Sequence, residues 1–419
     1  MAGVLNSPEG LYAFYKSQLD NSIAFWMEHG LDREQGGYNT FLNQEGQPYS
    51  YFKYTWCQGR MAYQFSKLYN SLECRPEWLE AARLGVDFIK NHALRKGDRV
   101  YSKFTREGQP IAWQDDQVFP EAFVVLGLAE WAKASGDDEA LAIAERIFWN
   151  ALRLMRDGGL NPFGPEIQPY YRWHGPSMIM LNVAQELREI NHDPRLDPVI
   201  SSWVEDELFL YTKDEHRIMF ERVRPDGSLD LQSHEGRSIT PGHVEESAWF
   251  CLREGLERGD KRLIDRACDV ALWGMEKGWD QDFGGLNNFV DFYGGPCGHH
   301  DEGWGEDQDW DEKLFWVHAE ALYSVLLAYH TSCPDGSAPN PERYANLALW
   351  YEKLHAWTFS HFPDQKYGEW YGYLHRDGSL SQSLKGGVKG FFHIPRALLN
   401  CTLLLASKAP GAHGPLTSR

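Results

Sequence analysis

Two histidines stand directly after glycine-containing breaks, at the start of apolar runs with helical spacing. His243 follows Pro241 and Gly242, and His393 follows the glycine-rich segment 386–390. Because proline and glycine end the preceding structure, both histidines are expected at or near helix N-termini. Histidine titrates near neutral pH and can give or take a proton in a reaction. Either ring alone could simply cap its helix, but two in the same arrangement predict a paired acid/base site.

Two glutamates are spaced so that they could orient these rings. Glu246 follows His243 by one helical turn and falls on the same face of the expected helix. Glu320 follows His318 in another apolar helical run. A carboxylate beside a ring nitrogen fixes the orientation of an imidazole. We therefore expect Glu246 and Glu320 to orient histidines or substrate hydroxyls.

The elements that must position these residues are helices. Apolar residues recur at helical spacing along most of the chain, with breaks at glycine and proline. The predicted helices lie near 11–30, 51–73, 76–94, 118–135, 137–157, 177–192, 196–213, 244–258, 260–277, 312–331, 341–361 and 392–407.

Turns in which glycine follows an acidic residue separate some of these helices and predict short β-hairpins. Twelve helices with such turns at recurring intervals are typical of six helical pairs. The segment 397–406 is strongly apolar and must be buried, whereas an open array needs polar ends. We therefore predict an all-α fold, an (α/α)6 barrel with hairpins at one mouth. Residues 1–410 are expected to form one catalytic domain, and residues 411–419 a disordered tail.

Closure into a ring predicts which residues converge. If alternate helices form the inner ring, their starts face the same mouth, and nearly every start carries a basic or titratable residue. A buried charge is costly unless it is paired or used, which indicates a site at this mouth. The converging residues are Arg60, Glu121, His174, His243 with Glu246, His318 with Glu320, and His393.

The charge of the chain argues against several classes of partner. The net charge is −19, the pI is near 5.3, and lysine and arginine are not clustered. Nucleic acids and anionic membranes are therefore not expected as partners. No apolar run is long enough to span a bilayer, and residues 1–10 do not resemble a signal peptide. Seven scattered cysteines without a C-x-x-C pair fit a reduced, cytoplasmic protein, and a homodimer is left open.

Metal and nucleotide cofactors are not expected. The run 299–302 has metal-ligating residue types, but adjacent residues on a glycine-rich loop rarely complete a coordination sphere. The chain has no glycine-rich phosphate loop of the common types. Tryptophan is abundant, with 17 residues, and flat rings suit contact with the apolar face of a sugar. Part of the following set is expected to line the cavity: Trp56, Trp113, Trp173, Trp249, Trp316 and Trp370.

Several motifs along almost the whole chain are specific when taken together. They are Phe25-Trp26-Met27-Glu28-His29, Trp56-Cys57-Gln58-Gly59-Arg60, Pro241-Gly242-His243 with Glu246, Trp316-Val317-His318 with Glu320, Tyr367-Gly368-Glu369-Trp370, and His393 with Pro395-Arg396. In these motifs the sequence resembles the N-acylglucosamine 2-epimerase family, which includes mannose and cellobiose epimerases and aldose–ketose isomerases. The resemblance implies an (α/α)6 barrel. It also implies that His243 and His393 are the two acid/base residues and that Arg60 and Glu320 are essential.

The resemblance and the paired histidines together imply an epimerase that inverts C2 of a free aldohexose, either mannose/glucose or N-acetylmannosamine/N-acetylglucosamine. One alternative is an aldose–ketose isomerase of the mannose/fructose type that uses the same histidines. Another is a non-catalytic toroid that binds carbohydrate or protein. A glycoside hydrolase would pair two carboxylates, which the paired histidines disfavour. The expected monosaccharide substrate is bound by Glu121, His174, Trp249, His318, Trp316 and Trp370.

Overall fold

Helices dominate the computed structural model, which describes residues 3–113, 117–157, 171–295, 297, 310–333, 336–381, 385, 387 and 389–408. The expected tail over 411–419 lies outside these residues. The α-helices of the described part are α1 (Pro8–His29), α2 (Thr55–Ser71), α3 (Pro76–Phe88), α4 (Phe119–Ser135), α5 (Asp138–Arg156), α6 (His174–Asn191), α7 (Leu196–Glu205), α8 (His234–Arg237), α9 (Pro241–Arg258), α10 (Lys261–Gly278), α11 (Phe315–Thr331), α12 (Pro341–His361) and α13 (His393–Lys408).

Short antiparallel strands stand between the helices. They are β1 (Lys53–Tyr54), β2 (Leu94–Arg95), β3 (Arg99–Val100), β4 (Lys103–Phe104), β5 (Pro110–Ala112), β6 (Arg172–Trp173), β7 (Thr212–Lys213), β8 (Ile218–Met219), β9 (Arg222–Val223), β10 (Ser238–Ile239), β11 (Val290–Asp291), β12 (Lys313–Leu314) and β13 (Tyr373–Leu374). The small sheets are β1–β4–β5, β2–β3, β6–β9, β7–β8, β10–β11 and β12–β13. Strands β1, β6, β10 and β12 end within two residues of the start of a helix, so their sheets lie at helix N-termini.

Alternate helices form a closed inner ring. In the described part of the chain, α2, α4, α6, α9, α11 and α13 each contact the next in this order, and α13 returns to α2. The outer helices α3, α5, α7, α10, α12 and α1 pack against these six in the same order. The predicted (α/α)6 barrel is thereby confirmed.

Burial explains which helices are inner and which are outer. The inner helix α4 is buried without interruption from Phe119 to Ala132. It packs so tightly on α2 that a Cβ at Gly59 would lie 2.2 Å from the carbonyl oxygen of Phe123. The outer helix α5 buries one stripe at helical spacing, as expected for a helix with one exposed face. No helix among the described residues combines the length and apolarity needed to cross a membrane.

The starts of four inner helices differ from the sequence expectation; one of them is α9, which was expected to begin at 244 and begins at Pro241. The helices predicted to begin near 51 and 312 begin at Thr55 and Phe315, because the residues just before them pair as strands β1 and β12. The helix predicted to begin at 177 begins at His174. His174 is therefore the first residue of an inner helix and lies next to a strand pair.

Three buried Asp–Lys pairs fix the loops at the starts of inner helices. Each aspartate opens a glycine turn. Lys53 and Lys313 stand directly before inner helices, in β1 and β12, whereas Lys385 lies in the longer segment that leads to α13. The lysine side chains are fully buried, so their charges are stabilised by pairing rather than by water. The Nζ–Oδ2 distances are 3.0 Å for Lys53–Asp32, 2.9 Å for Lys313–Asp280 and 2.8 Å for Lys385–Asp364.

A neighbouring hairpin supplies a third side chain to each of these aspartates. The donor–acceptor pairs are Arg106–Asp32 at 2.9 Å, Arg376–Asp280 at 2.7 Å and Gln44–Asp364 at 3.0 Å. Gln44 belongs to the first hairpin-like turn of the chain, whereas Asp364 follows α12. The contact between Gln44 and Asp364 therefore connects the first and last parts of the ring through an uncharged side chain. The other two aspartates are each bound by an arginine instead.

Candidate active site

His243, the third residue of α9, is bonded to a carboxylate that lies outside its own helix. Its Nδ1 atom lies 3.1 and 3.2 Å from the two carboxylate oxygens of Glu221, the residue before β9. Burial opposes ionisation of Glu221, but His174 and His243 hold its pKa well below the usual value. An ionised carboxylate can only accept, so Nδ1 of His243 donates and Nε2 is left for other chemistry. The His243 side chain is 23% exposed, so solvent or a substrate can reach it.

Glu221 also binds a second histidine. His174 lies with Nε2 3.0 Å from Glu221 and Nδ1 3.1 Å from Glu207. The ring is fully buried, and its centroid lies 5.6 Å from that of His243. Burial alone would lower the pKa of His174, but the two carboxylates outweigh it and raise the pKa to about 10. His174, predicted to bind substrate, therefore lies behind His243 with both ring nitrogens facing carboxylates.

His393, the first residue of α13, is bonded to Glu320 of α11. Its Nδ1 atom lies 2.7 Å from Oε1 of Glu320, and both side chains are buried. Burial lowers the pKa of His393 to about 3, although the Glu320 carboxylate opposes this shift. Burial also opposes ionisation of Glu320, but Arg396 and His393 outweigh it and lower its pKa to about 2. His393 is therefore neutral at pH 7, with Nδ1 donating and Nε2 carrying the lone pair.

Arg396, one turn into α13, links two carboxylates from different helices. Its Nη2 atom lies 2.6 Å from Oε1 of Glu320 and 2.5 Å from Oε1 of Glu246. Burial and the neighbouring Glu320 raise the pKa of Glu246. The sequence suggested that Glu246 orients His243. In the structure Glu246 binds Arg396 instead, and Glu221 is the carboxylate bonded to His243.

Trp316, the second residue of α11, contacts both imidazoles. Its ring centroid lies 5.4 Å from that of His243 and 5.8 Å from that of His393. The indole is partly exposed. A Cβ at Gly242 would lie 2.3 Å from this indole, so glycine allows the start of α9 to approach it. The two histidines, which are remote in sequence, therefore share one aromatic ring.

Arg60 of α2 lies in an aromatic surrounding. Its guanidinium carbon is 4.1 Å from the ring centroid of Phe123, 4.9 Å from that of Phe392 and 5.0 Å from that of Trp56. Burial lowers the pKa of Arg60 to about 10, so it keeps its charge at pH 7. A cation that water screens poorly acts strongly on negative charge that develops nearby.

His318 is held by the backbone. Its Nδ1 atom donates to the Leu314 carbonyl at 2.9 Å, and its Nε2 atom accepts from the Leu286 amide at 2.9 Å. The ring stacks on Trp357 with 4.8 Å between centroids, and burial lowers its pKa to about 3. Both ring nitrogens of His318 are thus hydrogen-bonded to the backbone. His318 holds the loop around residue 286 and, contrary to the sequence expectation, does not offer a ring nitrogen to the substrate.

Three other residues predicted to bind substrate have supporting roles in the described contacts. Trp249 donates from Nε1 to Oε2 of Glu320 at 2.9 Å and so helps to hold that carboxylate. Trp370 is buried in the hydrophobic core. Glu121 accepts from Nε of Arg99 at 2.6 Å, and burial raises its pKa.

The sequence analysis assigned no role to three residues that bind the histidines or their carboxylates. Glu207 lies in a short π-helical turn, Asp206–Leu210, and Glu221 lies just before β9. No local spacing relates either residue to a histidine. Arg396 follows His393 by three residues, which places both on one face of a helix. That spacing is the signal that could have marked Arg396.

Two sets of side chains have the spacing of metal ligands. They are His174 with Glu221 and His243, and Glu246 with Glu320 and His393. In the second set the guanidinium of Arg396 already bonds both carboxylates. In the first set both nitrogens of His174 already face carboxylates. Both sets therefore fit internal ion pairs and proton transfer better than a metal ion.

The (α/α)6 barrel thus brings two carboxylate-bound imidazoles to one indole. A sequence profile of the N-acylglucosamine 2-epimerase (GlcNAc 2-epimerase) family matches residues 36–397. The N-acylglucosamine 2-epimerase of Bos taurus is 32% identical over 402 residues, which cover 93% of this chain and 89% of the bovine protein. The chain belongs to the N-acylglucosamine 2-epimerase family and is a sugar epimerase of the isomerase class.

Solved structures of low sequence identity have the same fold. The cellobiose 2-epimerase from Spirochaeta thermophila DSM 6192 matches with a TM-score of 0.76 and 21% identity, over 96% of this chain and 98% of that protein. A D-mannose isomerase matches with a TM-score of 0.74 and 18% identity, over 93% of this chain and 97% of that protein.

Proposed function

We propose that this protein inverts C2 of a free aldohexose, interconverting either mannose and glucose or N-acetylmannosamine and N-acetylglucosamine. The observation that carries the proposal is the pair His243 and His393 beside Trp316, each with Nδ1 bonded to a carboxylate. In each ring Nε2 is left to exchange a proton with the sugar.

The chemistry of C2 inversion requires two such groups. The hydrogen on C2 of an open-chain aldose is acidic because the adjacent carbonyl takes up the charge as an enediolate. One base removes this hydrogen, and an acid on the other face of the carbon returns a proton. In one direction neutral His393 serves as the base, and His243, which carries hydrogen on both ring nitrogens in that direction, donates a proton from Nε2. The two residues exchange roles in the reverse direction.

In this proposal two arginines stabilise different negative charges, one on the substrate and one on the protein. Arg60 has no carboxylate bonded to it among the described contacts, and its Nε has no hydrogen-bond partner there. It is therefore the cation assigned to the enediolate oxygen. Arg396 is committed to Glu246 and Glu320, so its role is to keep Glu320 ionised behind His393. The unit that acts is residues 1–410, without a cofactor.

Isotope exchange tests the proposal directly. The protein is incubated in heavy water with mannose, glucose, fructose and N-acetylmannosamine separately, and products are identified by NMR. The expected result is the C2 epimer of one aldose, with deuterium at C2. Absence of exchange with every sugar would contradict the proposal and favour a toroid that binds carbohydrate without converting it.

A second candidate function is aldose–ketose isomerisation. The same two imidazoles would form the same enediolate and return the proton to C1 instead of C2. The structural neighbour described as a D-mannose isomerase has nearly the same TM-score as the one described as a cellobiose 2-epimerase. The fold therefore occurs in proteins described as isomerases and in proteins described as epimerases. A ketose as the main product of the incubation would support this candidate over the first.

A further inference from the structure

His174 is a buried cation that the acid/base scheme does not use. Its Nε2 and Nδ1 atoms lie 3.0 and 3.1 Å from oxygens of Glu221 and Glu207. A carboxylate cannot donate a hydrogen bond when ionised, so both ring nitrogens carry hydrogen and the ring is an imidazolium. The raised pKa of His174, about 10, agrees with this geometry.

The positive charge of His174 is balanced by the carboxylates that surround it. Besides Glu207 and Glu221, the rings of His243 and Tyr211 lie 5.6 Å from it. Glu207 is held independently, because it accepts from Ser177 at 2.7 Å and from Ser247 at 2.9 Å. Glu221 also accepts from Trp173.

The charge of His174 decides the protonation of Glu221. Two carboxylates with one imidazolium between them can both stay ionised, whereas two buried carboxylates without that cation repel each other and one takes up a proton. A protonated Glu221 would donate to Nδ1 of His243 instead of accepting from it. The remaining hydrogen of a neutral His243 would then stand on Nε2, and that ring could no longer accept a proton from a sugar.

We propose that His174 is a positioning residue whose permanent positive charge keeps Glu221 ionised and thereby fixes His243 in the form with Nε2 available to the sugar. This inference rests on the proposed function, in which His243 is one of the two acid/base residues. His174 itself does not contact the substrate.

Paired substitutions test the charge. In His174→Gln we expect kcat to fall about 10²-fold, KM to change less, and the pH profile of kcat to be displaced. The reason is that His243 would carry its hydrogen on the wrong ring nitrogen and transfer protons poorly. The double variant His174→Gln/Glu207→Gln removes one negative charge as well, and we expect it to recover about tenfold of the lost kcat, since the Glu221–His243 pair is again balanced. A purely structural role for His174 predicts no recovery in the double variant and would overturn the inference.

His318→Gln is the matched control. His318 is also fully buried and lies in the first turn of the inner helix α11. Its ring is held by hydrogen bonds to the backbone rather than to carboxylates. We expect its substitution to lower the melting temperature and to leave the pH profile of kcat unchanged. An equal displacement of the pH profile in both variants would count against a specific role for His174.

NMR of protein labelled with 15N-histidine separates this inference from the proposed function. In the unsubstituted protein at pH 8 we expect both ring nitrogens of His174 to carry hydrogen and His243 to carry it on Nδ1. His174→Gln should change the His243 signals. A neutral His174 ring at pH 8 overturns the inference whether or not any sugar is converted. A protein that converts no sugar but shows the charged ring would refute the epimerase proposal and leave the charge balance standing.

Discussion

The Nδ1 atom of His393 lies 2.7 Å from Oε1 of Glu320, in a surrounding that keeps both side chains away from water. Because Glu320 is ionised there, it fixes which nitrogen of His393 carries the hydrogen. The pairing of His243 with Glu221 repeats this arrangement on another helix. The two pairs differ in exposure, since the His243 side chain is 23% exposed and the His393 side chain 7%.

Glu320→Gln should impair catalysis through His393. The amide keeps the size of the side chain but removes the charge that fixes the His393 ring and balances Arg396. We expect kcat to fall about 10²-fold, with a smaller change in KM. Initial rates of epimer formation by NMR measure both constants.

The control for this substitution is Glu245→Gln. Glu245 is fully buried in α9, and neither of its carboxylate oxygens has a hydrogen-bond partner in the described structure. Unchanged kcat in this variant would show that replacing a buried glutamate carboxyl by an amide is not harmful in general. A Glu320→Gln protein as active as the unsubstituted one would refute the role of Glu320.

His393→Asn should abolish C2 inversion and leave the fold intact. The amide can still bond Glu320, but it cannot accept a proton at neutral pH. We expect deuterium incorporation at C2 to fall by about 10³-fold or more. Circular dichroism and the melting temperature check the fold, and full epimerase activity in this variant would defeat the scheme of two acid/base residues.

Glu245→Gln should also change the pH dependence of stability. Burial raises the pKa of Glu245 well above its usual value, so the folded state keeps a proton that the unfolded state releases above about pH 4.3. Stability therefore falls as the pH rises from this value toward the raised folded-state pKa of Glu245. We expect Glu245→Gln to gain stability relative to the unsubstituted protein between pH 5 and pH 7. Urea unfolding at both pH values measures the difference, and an equal difference at both would contradict it.

His318→Gln should have the opposite pH signature. Burial lowers the pKa of His318 to about 3, so below about pH 6.5 the unfolded state takes up a proton that the folded state does not. This group's contribution to stability is present above pH 6.5 and is lost as the pH falls toward 3. We expect the variant to be less stable at pH 7 but to lose less stability between pH 7 and pH 5. Urea unfolding of both proteins at the two pH values checks this, and parallel losses would rule it out.

The helices could be predicted because burial leaves a periodic trace in the sequence. The mostly apolar run of α4, which includes Glu121 and Glu130, and the single apolar stripe of α5 both follow from the neighbours of these helices in the ring. Alternation of inner and outer helices then brought Arg60, His243, Glu320 and His393 to one end. These residues converge because each stands near the start of an inner helix.

The partners of these residues could not be predicted in the same way. Glu246 has helical spacing to His243, yet it binds Arg396 on a different helix. Glu221 bonds His243 from a segment with no periodic relation to α9. Spacing along one helix fixes a face but not which neighbouring element meets that face. The same limit explains why His318 was assigned to substrate although the backbone holds it.

The order of the ring has a consequence for biosynthesis. Arg60 stands on α2, the first inner helix, whereas His393 and Arg396 stand on α13, which packs between α11 and α2. A nascent polypeptide therefore has no complete proton-transfer machinery while α13 is still inside the ribosome. Products of premature termination before residue 393 lack His393, which the proposed mechanism requires, and are expected not to convert sugars even if their earlier helices have folded.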